Sequence, residues 1–116
     1  MTDQDTEQEI QAKGLTAPRI TLDDIESNVI HEVYFTAEQG YQRANADAGI
    51  PEGAYSSLRL LTFCVLVLRN GFKVTGESAC VSPENFDAEI GRQEARKNAI
   101  EKVWPLMGYE LRSRLA

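Results

Sequence analysis

The chain has 116 residues, a formal net charge of -6 at pH 7 and a sequence pI near 4.8. This length suits one domain with a modest hydrophobic core and is too short for two such domains. The negative charge argues against duplex DNA, duplex RNA or an anionic membrane surface as the main partner, because each of these is bound through a basic face. One small anionic ligand in a local basic pocket is still compatible with it.

The start of the chain is polar and acidic. Residues 1–20 show no apolar periodicity, so we interpret them as a flexible acidic tail and residues 21–116 as a single α+β domain. No signal or transit peptide is evident, and no apolar run approaches the ~20 residues of a membrane-spanning helix. With Cys64 and Cys80 as its two cysteines and no export signal, the protein is expected to keep reduced thiols in a cytoplasm.

Thr21 begins an amphipathic pattern. It is a typical helix N-cap residue, and two aspartates follow it in the first turn, where the helix dipole favours acidic side chains. Apolar residues at helical spacing then predict a helix over Leu22 to about Phe35. The last residues of this segment, Val33 to Thr36, also suit a short strand, and the pattern does not decide between the two.

A long polar segment follows, from Gly40 to Ser57. Its glycines and Pro51 interrupt any apolar pattern, so we expect a loop with room for one helical turn around Gln42 to Asp47. Because loops longer than ~12 residues in a compact domain are usually functional or disordered, this loop is a candidate for contacts with a partner.

Two β-rich runs, Leu60–Arg69 and Phe72–Val81, flank the pair Asn70-Gly71. Asn-Gly is the strongest pair for a two-residue primed turn, since both of its positions need positive φ. The sequence therefore predicts an antiparallel hairpin with Arg69 opposite Phe72. In this register one face carries Leu61, Phe63, Val65, Val67, Phe72 and Val74, and the other carries Leu60, Cys64, Leu66 and Leu68 beside Lys73, Thr75 and Glu77.

The first strand of this hairpin is apolar on both faces, which indicates that both faces are covered. A hairpin alone is unstable in water, and two or three short helices can hardly cover both of its faces. A second subunit is the natural cover for the remaining face. We therefore expect a homo-oligomer, most simply a dimer.

Ser82-Pro83 predicts the start of a long helix, with Ser82 as its cap and Pro83 in the first turn. The helix is expected to end at Trp104, because Pro105 disfavours helical backbone at the preceding residue. A short final helix from Tyr109 to Leu115 then completes the chain. Small residues along the long helix allow a close approach to a sheet or to another helix; they are Ala88, Gly91, Ala95 and Ala99.

The sequence contains no catalytic motif and no metal-ligand cluster, so we expect a protein that is not an enzyme and uses neither a metal nor a cofactor. Its single histidine, His31, excludes multi-histidine metal sites and is most simply a surface residue. A carboxylate pair of Glu77 with Glu84 or Asp87 is the one route to acid–base catalysis that the sequence offers.

Several residues of the second half are candidates for ligand binding. Arg92 and Arg96 share a helix face and suit a phosphate, although ion pairs with neighbouring glutamates are the more common arrangement for such charges. Polar residues after Gly76 either line a pocket or lie on an exposed edge strand. Aromatic rings can stack on a base, with core packing as the ordinary alternative. The candidate set is Phe72, Glu77, Ser78, Asn85, Phe86, Arg92 and Arg96.

The amino-acid sequence of the second half of the chain resembles that of one known family. The segments that carry the resemblance are Leu61 to Leu68, Asn70-Gly71-Phe72, Gly76 to Cys80, Pro83 to Asp87, Ile90-Gly91-Arg92 and Trp104-Pro105-Leu106. They look like a small tailed-phage protein family of the coliphage N-four and Shigella phage Sf-six type, a family of unknown function. Upstream, Val33-Tyr34-Phe35-Thr36 resembles the family's His-Tyr-Phe-Thr element, with valine in place of the histidine. The resemblance implies a phage or prophage accessory protein in the bacterial cytoplasm.

In size and architecture the chain is also similar to the Thoeris anti-defence sponges. These small phage proteins sequester cyclic ADP-ribose-type signals, and in some cases cyclic oligonucleotides, at subunit interfaces without cleaving them. The similarity implies an anti-defence protein that binds a nucleotide signal in the infected host. The alternative is a protein–protein module that inhibits a host protein through its acidic surface and the Gly40–Ser57 loop.

Overall fold

The computed structural model describes residues 2–15, 17–51, 53 and 55–116. Three strands form one antiparallel sheet in the order β1-β2-β3, and the longest helix, α4, packs across one face of it. This arrangement confirms the predicted α+β class. In chain order the elements are α1 (Asp3–Ala12), α2 (Leu22–Asn28), β1 (Val29–Thr36), α3 (Ala37–Ala44), β2 (Leu61–Leu68), β3 (Lys73–Ala79) and α4 (Ala88–Leu115).

The hydrophobic core lies between α4 and the sheet. Gly76 on β3 faces the helix so closely that a Cβ atom there would overlap the carbonyl oxygen of Ala95 and the amide nitrogen of Ala99. The expected close approach of the small residues of the helix is therefore confirmed, and the close partner of Gly76 is the helix backbone. Buried side chains of the core are Ile25, Cys64, Leu66, Leu68, Val74, Ala95, Ala99, Ile100 and Val103.

The predicted helix over Leu22 to Phe35 is wrong in its second half. Helix α2 ends at Asn28, and the residues from Val29 to Thr36 pair with β2 as the edge strand β1. β-branched and aromatic residues favour extended backbone, and pairing with β2 prevails over their helix-like spacing. The alternative prediction, a strand over Val33 to Thr36, gave the correct secondary structure for these residues but began four residues too late.

The hairpin turn is one residue longer than predicted. The amide of Leu68 donates to the carbonyl of Phe72 (2.8 Å), and the amide of Gly71 donates to the carbonyl of Leu68 (2.8 Å). The loop therefore has three residues and ends at Gly71, whose φ of 86° only glycine adopts without strain. As a result, Val67 lies opposite Lys73, and the predicted pairing of Arg69 with Phe72 is wrong.

This register reverses the two faces of β3 relative to the prediction. Val74 lies beside Leu66 against α4, while Lys73, Thr75 and Glu77 lie on the opposite face, next to the partly exposed side chains of β2. We call this opposite face of the sheet the open face. Its residues are His31, Val33 and Phe35 of β1, Leu61, Phe63, Val65 and Val67 of β2, and Lys73, Thr75, Glu77 and Ala79 of β3.

The predicted acidic tail contains helix α1, in the part of residues 1–20 that the structure describes. Thr2 caps the helix, and Arg19 holds Glu7 through two hydrogen bonds of 2.6 and 2.7 Å. The indole N–H of Trp104 donates to the carboxylate of Asp3 (3.2 Å). No side chain of α1 is buried, so polar contacts attach this helix to the rest of the protein, and an apolar pattern could not reveal it.

The predicted loop from Gly40 to Ser57 holds more helix than expected. Helix α3 extends into it as far as Ala44, and short 3-10 helices follow at Ala46–Ala48 and Ser56–Leu60. Thr36 begins α3 with a capping box, in which its hydroxyl accepts the amide of Gln39 (3.1 Å) and its own amide donates to the Gln39 side chain (2.9 Å). Glu52 and Ala54 of this loop lie outside the described residues.

Helix α4 begins and ends later than predicted. Pro83–Asn85 form only a 3-10 turn, and the N-cap is Asp87, whose carboxylate accepts the amide of Ile90 (3.0 Å). The helix continues through Pro105 to Leu115, so the separate final helix was a wrong prediction. Packing of apolar side chains on both sides of the proline offsets the hydrogen bond that proline cannot donate. Neither α4 nor any other described helix is long and apolar enough to cross a membrane.

Candidate functional site

Two neighbouring cavities lie at the end of the sheet where β1 ends and β2 begins. The larger, which we call the arginine cavity, has a volume of about 340 Å³, and its lining residues are Tyr34, Phe35, Thr36, Glu38, Gln39, Arg59, Thr62, Phe86, Ala88 and Arg92. The smaller, which we call the serine cavity, has a volume of about 180 Å³, and its lining residues are Leu60, Thr62, Ser78, Ala79, Cys80, Asn85, Phe86, Asp87, Ile90 and Gly91. Thr62 and Phe86 belong to both.

Three different segments bring the side chains of the arginine cavity together. Arg92 lies in the second turn of α4, and Phe86 lies between the Pro83–Asn85 turn and the N-cap of that helix. Arg59 belongs to the 3-10 helix that leads directly into β2. The capping box at Thr36 directs the chain from β1 into α3 at the same place. Regular elements therefore define most of this wall, which favours a preformed site.

The charge of the arginine cavity is opposite in sign to that of the whole protein. Arg59 and Arg92 are exposed, and neither forms an ion pair with a described residue. Glu38 is the carboxylate in the same lining. Guanidinium groups bind phosphate or carboxylate oxygens through paired hydrogen bonds, and the rings of Phe35 and Phe86 offer surfaces for a planar group. The arrangement suits a small anionic ligand with an aromatic part.

Arg96 lies one turn after Arg92 but outside both cavities. Its guanidinium donates to Glu26 of α2 (2.6 and 3.0 Å) and to Glu32 of β1 (2.7 and 2.9 Å). The hydroxyl of Tyr34 donates to the other oxygen of Glu32 (2.9 Å). The Arg96 hydrogen bonds lower the pKa of Glu32, and the two glutamates raise the pKa of Arg96. The structure thus favours the ion-pair alternative for Arg96, because its donors are already occupied.

Four of the predicted ligand residues lie at the two cavities. Ser78, Asn85 and Phe86 line the serine cavity, and Phe86 and Arg92 line the arginine cavity. The serine cavity also holds Cys80, whose thiol donates to the carbonyl of Ser82 (3.2 Å). Hydroxyl and amide groups near a shared phenylalanine ring could bind the polar edge of a base or a sugar.

Phe72 and Glu77 lie away from both cavities. Phe72 follows the hairpin turn and is 55% exposed. Its backbone partner, Leu68, lies six residues after Thr62 along β2, or roughly 20 Å of strand. The side chain of Glu77 lies on the open face, while its carbonyl accepts a hydrogen bond from Asn98 (2.8 Å). The predicted register placed Glu77 on the face of Cys64 and Leu66, and the one-residue difference in the turn moves it to the opposite face.

Arg59, Tyr34 and Phe35 line the arginine cavity but are not among the site residues predicted from the sequence. Arg59 belongs to no motif, and nothing in its neighbourhood indicates a ligand. A signal for the other two existed, because Tyr34-Phe35-Thr36 is the part of the family-like element that this chain retains, and all three residues line the arginine cavity. Val33, which stands where the family element has histidine, belongs to the open face instead.

The residues that the structure describes contain no group of three or more His, Cys, Asp or Glu side chains that could hold a metal ion. Cys64 and Cys80 are free thiols. Burial raises the pKa of Cys64, so this thiol stays protonated inside the core. The linings of the two cavities offer hydrogen-bond donors and acceptors, guanidinium groups and ring surfaces.

Comparison with known proteins places the chain in a family. Neither the comparison with curated proteins nor that with solved structures found a match. Residues 20–115, which contain both cavities and every element from α2 to α4, match the model of the family described as "Phage protein (N4 Gp49/phage Sf6 gene 66) family". The chain therefore belongs to this family of phage proteins, as its hairpin and helix segments suggested.

Proposed function

We propose that this phage protein is a non-enzymatic accessory protein that binds and sequesters a nucleotide-type immune signal, either a cyclic ADP-ribose isomer or a cyclic oligonucleotide, in the cytoplasm of the infected bacterium. The arginine cavity is the observation that carries the proposal. It holds two guanidinium groups that make no ion pair with a described residue, beside two phenylalanine rings.

The cavity suits the phosphates of such a ligand. Arg59 and Arg92 come from different segments, so one phosphate or diphosphate can accept hydrogen bonds from two sides. A volume of about 340 Å³ is within the range of small-molecule pockets, at its lower end. Glu38 is positioned in the same lining to accept a hydrogen bond from a ribose hydroxyl or an exocyclic amine.

The serine cavity extends the same site on the other side of Phe86. Its polar side chains Ser78, Asn85 and Asp87 match the mixed donors and acceptors of a base or a sugar, while its walls carry no guanidinium group. We therefore assign the phosphates to the arginine cavity and a neutral part of the ligand to the serine cavity. The choice of cyclic signals draws on the architectural similarity to Thoeris anti-defence sponges.

Sequestration needs tight binding and slow release, and it needs no reacting group. A protein of this kind lowers the free concentration of the signal by mass action, so its effect depends on its own concentration relative to that of the signal. The acidic surface outside the cavity helps exclude longer nucleic acids, which need an extended basic face. A single basic cavity on an acidic protein thus favours small anionic ligands.

The test is titration calorimetry of the full chain with a panel of cyclic ADP-ribose isomers and cyclic di- and trinucleotides. We expect one member to bind and Arg92→Ala to weaken it by roughly 10- to 100-fold, the value of one or two charge-assisted hydrogen bonds. Arg112→Ala is the matched control, because Arg112 is an exposed arginine of the same helix outside both cavities.

Two further results decide the mechanism. Native mass spectrometry should show ligand mass that is released intact on denaturation; a hydrolysed product would contradict sequestration. A wild-type protein that binds no member of the panel overturns the proposal. Binding that Arg92→Ala and Arg59→Ala both leave unchanged moves the ligand to another part of the protein.

The second candidate function is that of a module that binds and inhibits a host protein. The open face favours it, because the apolar side chains of Val33 and Phe35 remain 47% and 36% exposed there. Recovery of one host protein at equal stoichiometry, with no nucleotide bound, would support this function over sequestration.

A further inference from the structure

We propose that Glu26 and Glu32 are positioning residues that hold Arg96 away from the arginine cavity and thereby make the cavity discriminate against triphosphate ligands. This rests on the proposed function, because the arginine cavity is taken as the place where phosphates bind. The class of ligand narrows accordingly: a single phosphate or a diphosphate finds all its partners in the cavity, and a longer phosphate chain gains no further contact.

Arg92 and Arg96 occupy similar positions on α4. They are four residues apart, so their Cβ atoms lie roughly 5–6 Å from each other on one side of the helix. Arg92 is exposed, lines the arginine cavity and makes no ion pair with a described residue. Arg96 is partly buried and lines neither cavity. The difference between the two arginines therefore comes from the groups that surround Arg96.

Two glutamates occupy all three nitrogens of the Arg96 guanidinium. Nη1 donates to Glu26 (3.0 Å), Nε donates to Glu32 (2.9 Å), and Nη2 donates to both glutamates (2.6 and 2.7 Å). The carboxylates belong to α2 and β1, so two elements other than the helix of Arg96 hold its side chain. The guanidinium cannot turn toward a ligand without losing several charge-assisted hydrogen bonds.

This ion-pair cluster lies next to the wall of the arginine cavity. The second carboxylate oxygen of Glu32 accepts the hydroxyl of Tyr34 (2.9 Å), and Tyr34 is a lining residue of that cavity. Arg96 is thus near the site, while its donors are directed at the two glutamates. The hydrogen bonds from Arg96 lower the pKa of Glu32, so this carboxylate stays charged at neutral pH and keeps its hold on the guanidinium.

The charge of the cluster determines which anions the cavity favours. Arg59 and Arg92 are free to hold one phosphate or two adjacent ones. Arg96 with Glu26 and Glu32 combines one positive and two negative charges, a net charge of -1, and therefore repels a third phosphate. Every cell contains nucleoside triphosphates, which compete for any basic cavity. The two glutamates thus favour diphosphate ligands over these competitors.

Calorimetric titration of the full chain with inorganic phosphate, pyrophosphate and tripolyphosphate tests this role. The wild-type protein should bind tripolyphosphate no more tightly than pyrophosphate. Glu26→Gln/Glu32→Gln removes both carboxylate charges with little change in side-chain shape. It should tighten tripolyphosphate binding by roughly tenfold, the value of one charge-assisted hydrogen bond from the released Arg96. Binding of phosphate, which Arg59 and Arg92 already satisfy, should change by less than about threefold.

Two controls separate the release of Arg96 from a general change in charge. Addition of Arg96→Gln to the double variant should return tripolyphosphate binding to the wild-type level, because the released guanidinium is then absent. Glu94→Gln/Glu101→Gln makes the same change in net charge at two exposed positions of α4 that form no ion pair with a described residue. This variant should keep the wild-type preference among the three probes. Circular dichroism melting confirms that each variant is folded.

A gain for tripolyphosphate that Arg96→Gln abolishes supports the positioning role of the two glutamates. A double variant with the wild-type preference among the probes overturns it, and so does a gain that persists without Arg96. Absence of binding of all three probes, to the wild-type protein and to the double variant alike, overturns it as well. Titration of the same proteins with the cyclic nucleotide panel decides the proposed function separately, since a wild-type protein that binds a cyclic signal keeps that function whatever the glutamates do.

Discussion

The two faces of β2 are similarly apolar and meet very different surroundings. Cys64, Leu66 and Leu68 are buried under α4, while Val65 and Val67, on the other face, stay partly exposed. The apolar pattern of the strand indicates that both faces avoid water, and it does not tell what covers either one. The neighbouring strand supplies that information: β3 offers a glycine to the helix on one face and alternating polar residues on the other.

We call the face of the sheet that packs against α4 the covered face. Its strongest test is the substitution Gly76→Ala. A Cβ atom at this position would overlap backbone atoms of Ala95 and Ala99, and it would lie 2.9 Å from the Ala99 Cα atom. A helix backbone cannot rotate away as a side chain can, so the helix must shift from the sheet. We expect a loss of roughly 3 kcal/mol or more in the free energy of unfolding, measured by urea denaturation.

Thr75→Ala is the control for this substitution. Thr75 is the neighbouring residue of β3 and faces away from the helix, so its replacement should change the free energy of unfolding by less than about 0.5 kcal/mol. Equal stability of Gly76→Ala and the wild type would show that α4 does not pack on β3 as closely as the structure places it.

The second test compares two neighbours on β2. Leu66 has no exposed surface, so Leu66→Ala should cost about 2–5 kcal/mol through lost burial and the cavity left behind. Val65, the next residue, faces the open side, and Val65→Ala should cost less than about 1 kcal/mol in dilute protein. Urea denaturation at low concentration measures both, and similar losses would mean that the open face is covered within one chain.

The sequence was sufficient for the parts of the fold that depend on local chemistry. Thr21 as an N-cap, the β2–β3 hairpin and the small residues of α4 are all present as predicted. The predicted hairpin register was wrong because Asn70-Gly71 is compatible with both a two-residue and a three-residue loop. The choice between the two loops depends on how β3 packs against α4. Strand β1 was predicted only in part, as the strand alternative for Val33 to Thr36, because its helix-like spacing is resolved only by pairing with β2, which lies far along the chain.

The candidate site was less predictable than the fold. Phe86 and Arg92 were found because they are close in sequence to a helix start. Arg59 and Tyr34 reach the same cavity from distant parts of the chain, and no local pattern connects them. Arg96 seemed equivalent to Arg92 in sequence, and tertiary contacts with Glu26 and Glu32 distinguish the two.

A smaller effect is expected from Arg96→Met, which removes the ion pairs that fasten α4 to α2 and β1. The guanidinium is partly exposed, and exposed ion pairs contribute little individually, but this one joins three elements through four hydrogen bonds. We expect a loss of about 1 kcal/mol in the free energy of unfolding. Arg112→Met, on the exposed end of the same helix, should have no measurable effect. An equal loss in both variants would mean that the ion pairs of Arg96 do not contribute to stability.

The smallest effect concerns the pH dependence of stability. Hydrogen bonds from Arg96 lower the pKa of Glu32 below its ordinary value of 4.5, so the folded protein holds its carboxylate charged where the unfolded chain has begun to take up a proton. The stabilising contribution is therefore complete above about pH 4.5 and declines as the pH falls through the lowered pKa of the folded state. Glu32→Gln removes this titrating group and should flatten the decline in urea midpoint between about pH 5 and pH 3.

Glu38→Gln provides the control, because Glu38 makes no ion pair with a described residue and should leave the slope of the wild type unchanged. Glu7, whose pKa Arg19 lowers, should maintain part of the decline in every variant. An unchanged slope in Glu32→Gln would mean that the ion pairs of Arg96 do not hold the covered side of the sheet together. In that case the apolar core between α4 and the sheet would hold this side together without the ion pairs, and Arg96 would again be a candidate, with Arg92, to bind a phosphate.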